Sequence, residues 1–306
     1  MLPVEDRFLM SQVLRSDPRS EFVPLVDRIR PAGWQALVIT ALVLWLYHST
    51  LTRLIGQWWD DPNFSHGFFV PLFSAFIVWQ ERSRFSGLRP RPSWWGLFFL
   101  AFGLCVLVVG QMGAELFLSR LSFLIVLSSL IVLFLGWNYF RVLLFPLAFL
   151  LLMIPIPAIV FNQITFPLQL LASGVASTIL PLMGVPVLRE GNVIVLPAMA
   201  LEVAEACSGI RSSMSLATLA VIYGYLMERN VAIRIVLALA SIPIAVVANS
   251  LRIVGTGMLV QYWDPDRAQG FFHEFSGWLI FVVSLFMLYL LHRALRLFYP
   301  ATGRQS

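Results

Sequence analysis

Long uncharged apolar runs dominate this chain, and they leave it one kind of environment in which to fold. They lie at about 34–51, 66–80, 94–113, 117–136, 140–160, 208–227, 231–251 and 274–292. A helix needs roughly 17–25 apolar residues to cross the hydrocarbon core. Strands of an outer-membrane barrel would instead alternate over about ten residues, and these runs do not. Composition agrees: 59% of residues are hydrophobic and 12% charged, with a mean hydropathy of +0.82. Soluble domains carry about 25% charged residues. The fold class expected is all-α, a polytopic membrane helical bundle of about eight transmembrane helices.

Between the fifth and sixth runs, residues 161–207 are mixed. Ile164 to Met183 is apolar but interrupted by Pro167, Gly174 and Pro181, which suggests a re-entrant or interfacial helix; a ninth span at 164–183 is the alternative. VPVLREGNVIVLPAMALEV then alternates around Gly191–Asn192, a hairpin signal. The expected organisation is a cytoplasmic arm at 1–33, one transmembrane domain at 34–295 and a cytoplasmic tail at 296–306. No internal repeat or linker stands out. The first thirty residues lack an apolar run, so a cleavable signal peptide is not expected.

The net charge of +5 and pI near 9.7 do not point to nucleic acid, because the basic residues sit in short loops beside the spans. All are arginine. The absence of lysine excludes a Ser–Lys dyad, Schiff-base chemistry and the P-loop lysine. With the N-terminus inside and eight spans, fifteen arginines fall on the cytoplasmic side. Arg53, Arg120, Arg189, Arg211, Arg252 and Arg267 fall outside. That bias places both termini in the cytoplasm, and a ninth span would move Arg229 and Arg234 outside.

Under this topology the unusual polar residues gather at the outer face. Cys207 precedes the sixth span, Asn249 and Arg252 end the seventh, His273 opens the eighth and His66 opens the second. Ionisable groups are costly in a membrane and are functional candidates by default. Each also has a structural reading: Cys207 as a small packing residue, Arg252 snorkelling to the surface, His273 as an interfacial cap, His66 holding a loop with Asp60 and Asp61. Cys207 differs from Cys105, a packing residue within the third span, because it stands at a helix start. Unpaired N–H groups and the dipole favour a thiolate there. A Cys105–Cys207 disulfide is excluded by depth, about 12 Å of helical rise against the roughly 7 Å that bridged Cα atoms allow.

Other chemistries drop out. HEFSG at 273–277 lacks the second histidine of a zinc protease, and the histidines and cysteines show no metal-ligand spacing. There is no intramembrane aspartate and no G-x-S-x-G elbow. No metal or cofactor is expected. What remains is acyl transfer through a thioester, with Cys207 as nucleophile, His273 as general base and acid, and Arg252 steadying the thiolate or oxyanion.

AEACSGIRSS, NSLRIVGTG and FFHEFSGW resemble the signature segments of the exosortase family. DPNFSHGFFVP with VWQER, FPLAFLLLMIPIP and REGNVIVLP resemble further family segments, in order, over about residues 34–295. The resemblance implies a cysteine protease or transpeptidase of the bacterial inner membrane, its active site facing the periplasm. Its partners would be membrane lipids and membrane-anchored proteins with a C-terminal Pro-Glu-Pro-type motif, a transmembrane helix and a basic tail. It also implies a link to exopolysaccharide production. The presumed catalytic trio falls on Cys207, Arg252 and His273, with His66, Arg211, Asn249 and Glu205 supporting the site or contacting substrate. Small residues in GTG at 255–257 would receive the substrate helix. The rival reading is a component of polysaccharide export that binds a lipid-linked sugar diphosphate through Arg189, Arg211 and Arg252; a small-solute transporter fits less well, since the polar groups avoid the midplane.

Overall fold

The computed structural model describes residues 33–61, 63–202, 209–263 and 271–298. Helix α1 is Gly33–Asp60. A 3-10 turn, Ser65–Phe68, leads into α2, Phe69–Gln80. Then come α3 (Trp95–Met112), α4 (Leu116–Phe134) and α5 (Trp137–Phe149), the last extended by a 3-10 turn over Leu150–Met153. Next is α6, Ala158–Leu182, followed by strands β1 (Leu188–Glu190), β2 (Val193–Val195) and β3 (Ala200–Glu202). Helices α7 (Gly209–Met227), α8 (Val231–Tyr262) and α9 (Phe271–Phe298) complete the order. The polytopic all-α class is confirmed. Six helices among the described residues are long and apolar enough to cross a membrane: α1, α3, α4, α6, α8 and Gly277–Phe298 of α9.

Two elements differ from expectation. The segment read as re-entrant is one continuous helix of 25 residues, of spanning length and composition. Pro167 costs that helix a single N–H and Pro181 sits in its last turn, so neither breaks it. The run expected at 140–160 instead ends early, because Pro155 and Pro157 hold the backbone extended before α6 begins.

The chain forms two compact units: residues up to 49 with 78–147, and residues 50–77 with those from 148 on. In the first, α3 and α4 lie antiparallel, and a glycine at every seventh residue sets their approach. A Cβ on Gly96 would strike the Leu133 backbone, one on Gly103 would lie 2.9 Å from Val126, and one on Gly110 would lie 2.7 Å from Ser119. The register therefore holds along the whole contact, as in small-residue membrane interfaces. Opposite this stripe α4 buries Ser119, Ser122 and Ser129. Their hydroxyls donate to carbonyls of their own helix, at Glu115, Ser119 and Val126. Tyr47 of α1 is tied to Ser122 across 3.0 Å, and Glu115 caps α4 through the N–H groups of Phe117 and Leu118.

In the second unit, α6, the sheet and α8 share one apolar core. Ala172, Ala176 and Leu180 meet Ile194 and Leu201 of the sheet and Val246, Ile253 and Val254 of α8. The hairpin expected at Gly191–Asn192 forms, with Glu190 paired to Val193 and Gly191 at φ +65°. A third antiparallel strand adds to it. Arg189 clamps the hairpin to α6, donating to Ser173 Oγ, the Leu170 carbonyl and the Gly191 carbonyl. Gly174 leaves room for its guanidinium.

A separate core, with Leu216, Ala220, Leu237 and Leu288, joins α7, α8 and α9. A polar clasp closes one end of these three helices. Glu228, in the α7–α8 turn, accepts from the Arg229 and Asn230 N–H groups, His292 Nε2 and Arg296 Nε. Arg234 Nε binds the Glu228 carbonyl, and His292 Nδ1 lies 2.7 Å from the Tyr223 hydroxyl. Burial alone would raise the Glu228 pKa, but the four hydrogen bonds to its carboxylate outweigh it and bring it to about 2.

Two predictions follow from this packing. Gly103→Leu should separate α3 from α4 and cost about 2 kcal/mol, seen as a lower Tm in detergent; an unchanged Tm contradicts the close approach. Because the Glu228 pKa is depressed, its contribution is complete above the ordinary carboxylate pKa and is lost as pH falls towards about 2. Glu228→Gln should thus narrow the Tm gap between pH 7 and pH 3 relative to wild type, and an identical gap would contradict it.

Candidate active site

Antiparallel helices advance equally, so one contact fixes the level of every other. A Cβ on Gly224 of α7 would lie 3.5 Å from Arg234 Cα on α8. Moving equal numbers of residues away from that contact brings Gly209, the first residue of α7, to about the level of Asn249. Cys207 precedes Gly209 by two residues and, with Glu205, lies outside the described residues.

Three residues from Asn249 on the same face of α8 is Arg252. Its side chain is only 4% exposed. The guanidinium lies against α9 where that helix carries Gly277, with Cζ and both Nη atoms 3.6–3.8 Å from the position of an added Cβ. A Cβ there would be in ordinary contact with the guanidinium, and a side chain longer than alanine's would compete for its space. Position 273 is one turn earlier on the same face of α9. The structure thus brings Arg252 against α9 one turn from residue 273, while Asn249, at about the level of the α7 start, lies one turn from Arg252 in the other direction. The side chains of Arg211 and His273 lie outside what is described, though both positions are helical. Asn249 Oδ1 is buried with no hydrogen-bond partner, an acceptor left open beside a buried cation.

His66 is buried in the 3-10 turn before α2. Its Nε2–H donates to the Leu152 carbonyl across 3.2 Å, leaving Nδ1 as a buried acceptor without a partner. Trp58, donating to the Met153 carbonyl, packs on the same turn where Gly67 leaves space. The turn itself packs against α7. Arg189, needed by the sugar-diphosphate reading, is spent on the hairpin. Cys105 is exposed on α3 instead of packed inside. Among the described residues no group of three or more His, Cys, Asp or Glu is arranged to hold a metal.

Sequence reasoning missed Gly277. Its only signal was position, one turn after His273. It also misassigned half of the GTG segment: Gly257 is buried against Leu180 of α6, and Gly255 alone faces open space.

A helical membrane bundle that buries an arginine between two of its helices defines a membrane protein with a polar site built into those helices. The chain belongs to the transmembrane exosortase family, whose model, Exosortase_EpsH, matches residues 58–290. The search of curated proteins and the search of solved structures return no match.

Space at residue 277 should therefore govern the site. An added methyl meets the guanidinium at ordinary contact distance, so Gly277→Ala should slow substrate processing less than Gly277→Leu. The larger residue displaces Arg252 and should slow processing at least about tenfold; equal rates for the two variants would contradict this geometry.

Proposed function

We propose that this exosortase is a cysteine protease or transpeptidase that cuts the C-terminal sorting signal of membrane-anchored proteins at the membrane boundary. The observation that carries the reading is the burial of Arg252 against Gly277, one turn from position 273 and one turn from Asn249. A cation kept out of water there interacts strongly with charge that develops next to it.

The Cys207 thiolate attacks the scissile carbonyl, forming a C–S bond and an oxyanion that Arg252 stabilises. The intermediate collapses with cleavage of the C–N bond, and protonated His273 gives its proton to the departing amine. Water or an acceptor amine then adds to the thioester as His273 takes a proton from it. The C–S bond breaks and the thiolate is restored. Asn249, Arg211, Glu205 and His66 hold this site and its substrate in place. The substrate signal is a Pro-Glu-Pro-type motif, an apolar helix and a basic tail. The site faces the periplasm from the bacterial inner membrane. The expectation of both termini in the cytoplasm came from an eight-span count, and a spanning α6 removes that support. Processing of this kind would serve envelope sorting and exopolysaccharide production.

The test is processing of a tagged precursor in membranes. Cys207→Ser and Arg252→Met, at wild-type expression, should each slow cleavage at least about 100-fold. Normal processing by Cys207→Ser would overturn the thiol mechanism and favour an arginine-dependent binding protein.

A further inference from the structure

The register of the small sheet decides where its backbone hydrogen bonds point. The two-residue turn at Gly191–Asn192 makes Glu190 and Val193 a pair that exchanges both bonds, and Leu188 with Val195 is the next such pair. Ile194 therefore turns its N–H and C=O the other way, to Leu201 of β3. The Leu196 N–H, donating to the Met199 carbonyl across 2.9 Å, fits the same alternation. It follows that the N–H and C=O groups of Ala200 and Glu202 point away from β2, out of the free edge of β3.

Among the described residues no hydrogen bond reaches these groups. The other edge differs. There only Arg189 turns its backbone outwards, and β1 packs against α6. Edge strands are commonly covered, bulged or interrupted by proline, and Ala200–Glu202 shows neither bulge nor proline. Leu201 is held in the core while the side chains on either side of it are exposed. Open backbone groups and the exposed carboxylates of Glu190 and Glu202 cannot face hydrocarbon, so water reaches this part of the sheet. An edge of donors and acceptors asks for an extended peptide, not for a lipid or a helix. Glu202 also precedes Cys207 by five residues, no more than about 18 Å of chain.

We propose that the outer edge of β3 holds the sorting motif of the protein substrate as a fourth strand. The inference rests on the protein-sorting reading and adds the mode of recognition, which is main-chain pairing. A Pro-Glu-Pro segment suits such an edge. Successive residues of an extended chain turn their N–H and C=O groups to opposite sides, so a glutamate bonded to β3 leaves both prolines facing away. Their missing N–H groups are then not called upon, and they close the new edge to further strands. Paired with Ala200 instead of Glu202, the glutamate also avoids a like charge directly opposite.

The experiment measures processing by the full wild-type chain of synthetic substrates that carry one N-methyl amide each. Methylation at the motif glutamate, or two residues before it, should raise KM at least about fivefold, since each removes a bond to the edge. Methylation three residues before the glutamate, where the N–H faces away, should leave KM unchanged. No effect at the glutamate, or an equal effect at all three positions, would overturn the proposal.

A second arm uses the chain with Cys105→Ser and Cys207→Ala, which has no other cysteine and cannot turn substrate over. A substrate cysteine two residues before the glutamate should crosslink through a short bis-maleimide to Ala200→Cys. It should not crosslink to Leu188→Cys, which is exposed on β1. Crosslinks from Leu188→Cys alone, or only between two copies of this chain, would overturn the proposal. If wild type processes the unmodified substrate while methylation is silent, the strand alone fails. If wild type processes nothing, the sorting reading fails and takes the strand with it.

Discussion

A guanidinium buried among membrane helices has no water to solvate it, and the second unit is organised around that constraint at Arg252. The cost of an ionised group in such surroundings is several kcal/mol. Helix α9 must come close without a bulky side chain at 277 to crowd the cation. Helix α8 must hold the arginine inward, and it does so by docking its opposite side on α6, where Gly257 admits Leu180. The sheet then braces α6, clamped by Arg189 through a glycine and a serine. Each of these contacts fixes one backbone relative to the next, which is what a cation in a fixed position requires.

The same economy of small residues recurs in the first unit, where a seven-residue glycine spacing does for α3 and α4 what Gly257 does for α8 and α6. Lipid offers little hydrophobic reward for bringing helices together, so close contact has to supply the attraction. The clasp at Glu228 works differently. It gathers a carboxylate, a histidine, two arginines and a tyrosine at the end of α7–α9 remote from Arg252. One end of the three-helix group is fastened by hydrogen bonds, and the other carries the candidate chemistry.

Much of this was legible before any coordinates. Apolar runs named the class, Gly191–Asn192 named the hairpin, and an arginine in NSLR inside an apolar run was conspicuous because lipid penalises it. Other parts were hidden for definite reasons. Proline in α6 looked like an interruption, yet one lost N–H does not end a helix of that length. Glycine at 96, 103 and 110 was not recognised as a repeat, since its meaning lies in the partner helix and not in the stripe itself. GTG looked like a surface for a partner; which of its glycines faces inward depends on where Leu180 sits. Gly277 had no signal apart from its distance to His273, and Cys207 and Glu205 fall outside the described residues, so their roles still rest on chemistry and spacing.

The central claim is that the thiol of Cys207 forms a covalent acyl intermediate beside Arg252. Intact mass of the full-length protein after incubation with a tagged substrate measures this directly, with His273→Ala used to slow breakdown. The account predicts an added mass equal to the acyl fragment, located on Cys207 and released by hydroxylamine. An unmodified protein under conditions where wild type consumes the substrate would contradict it.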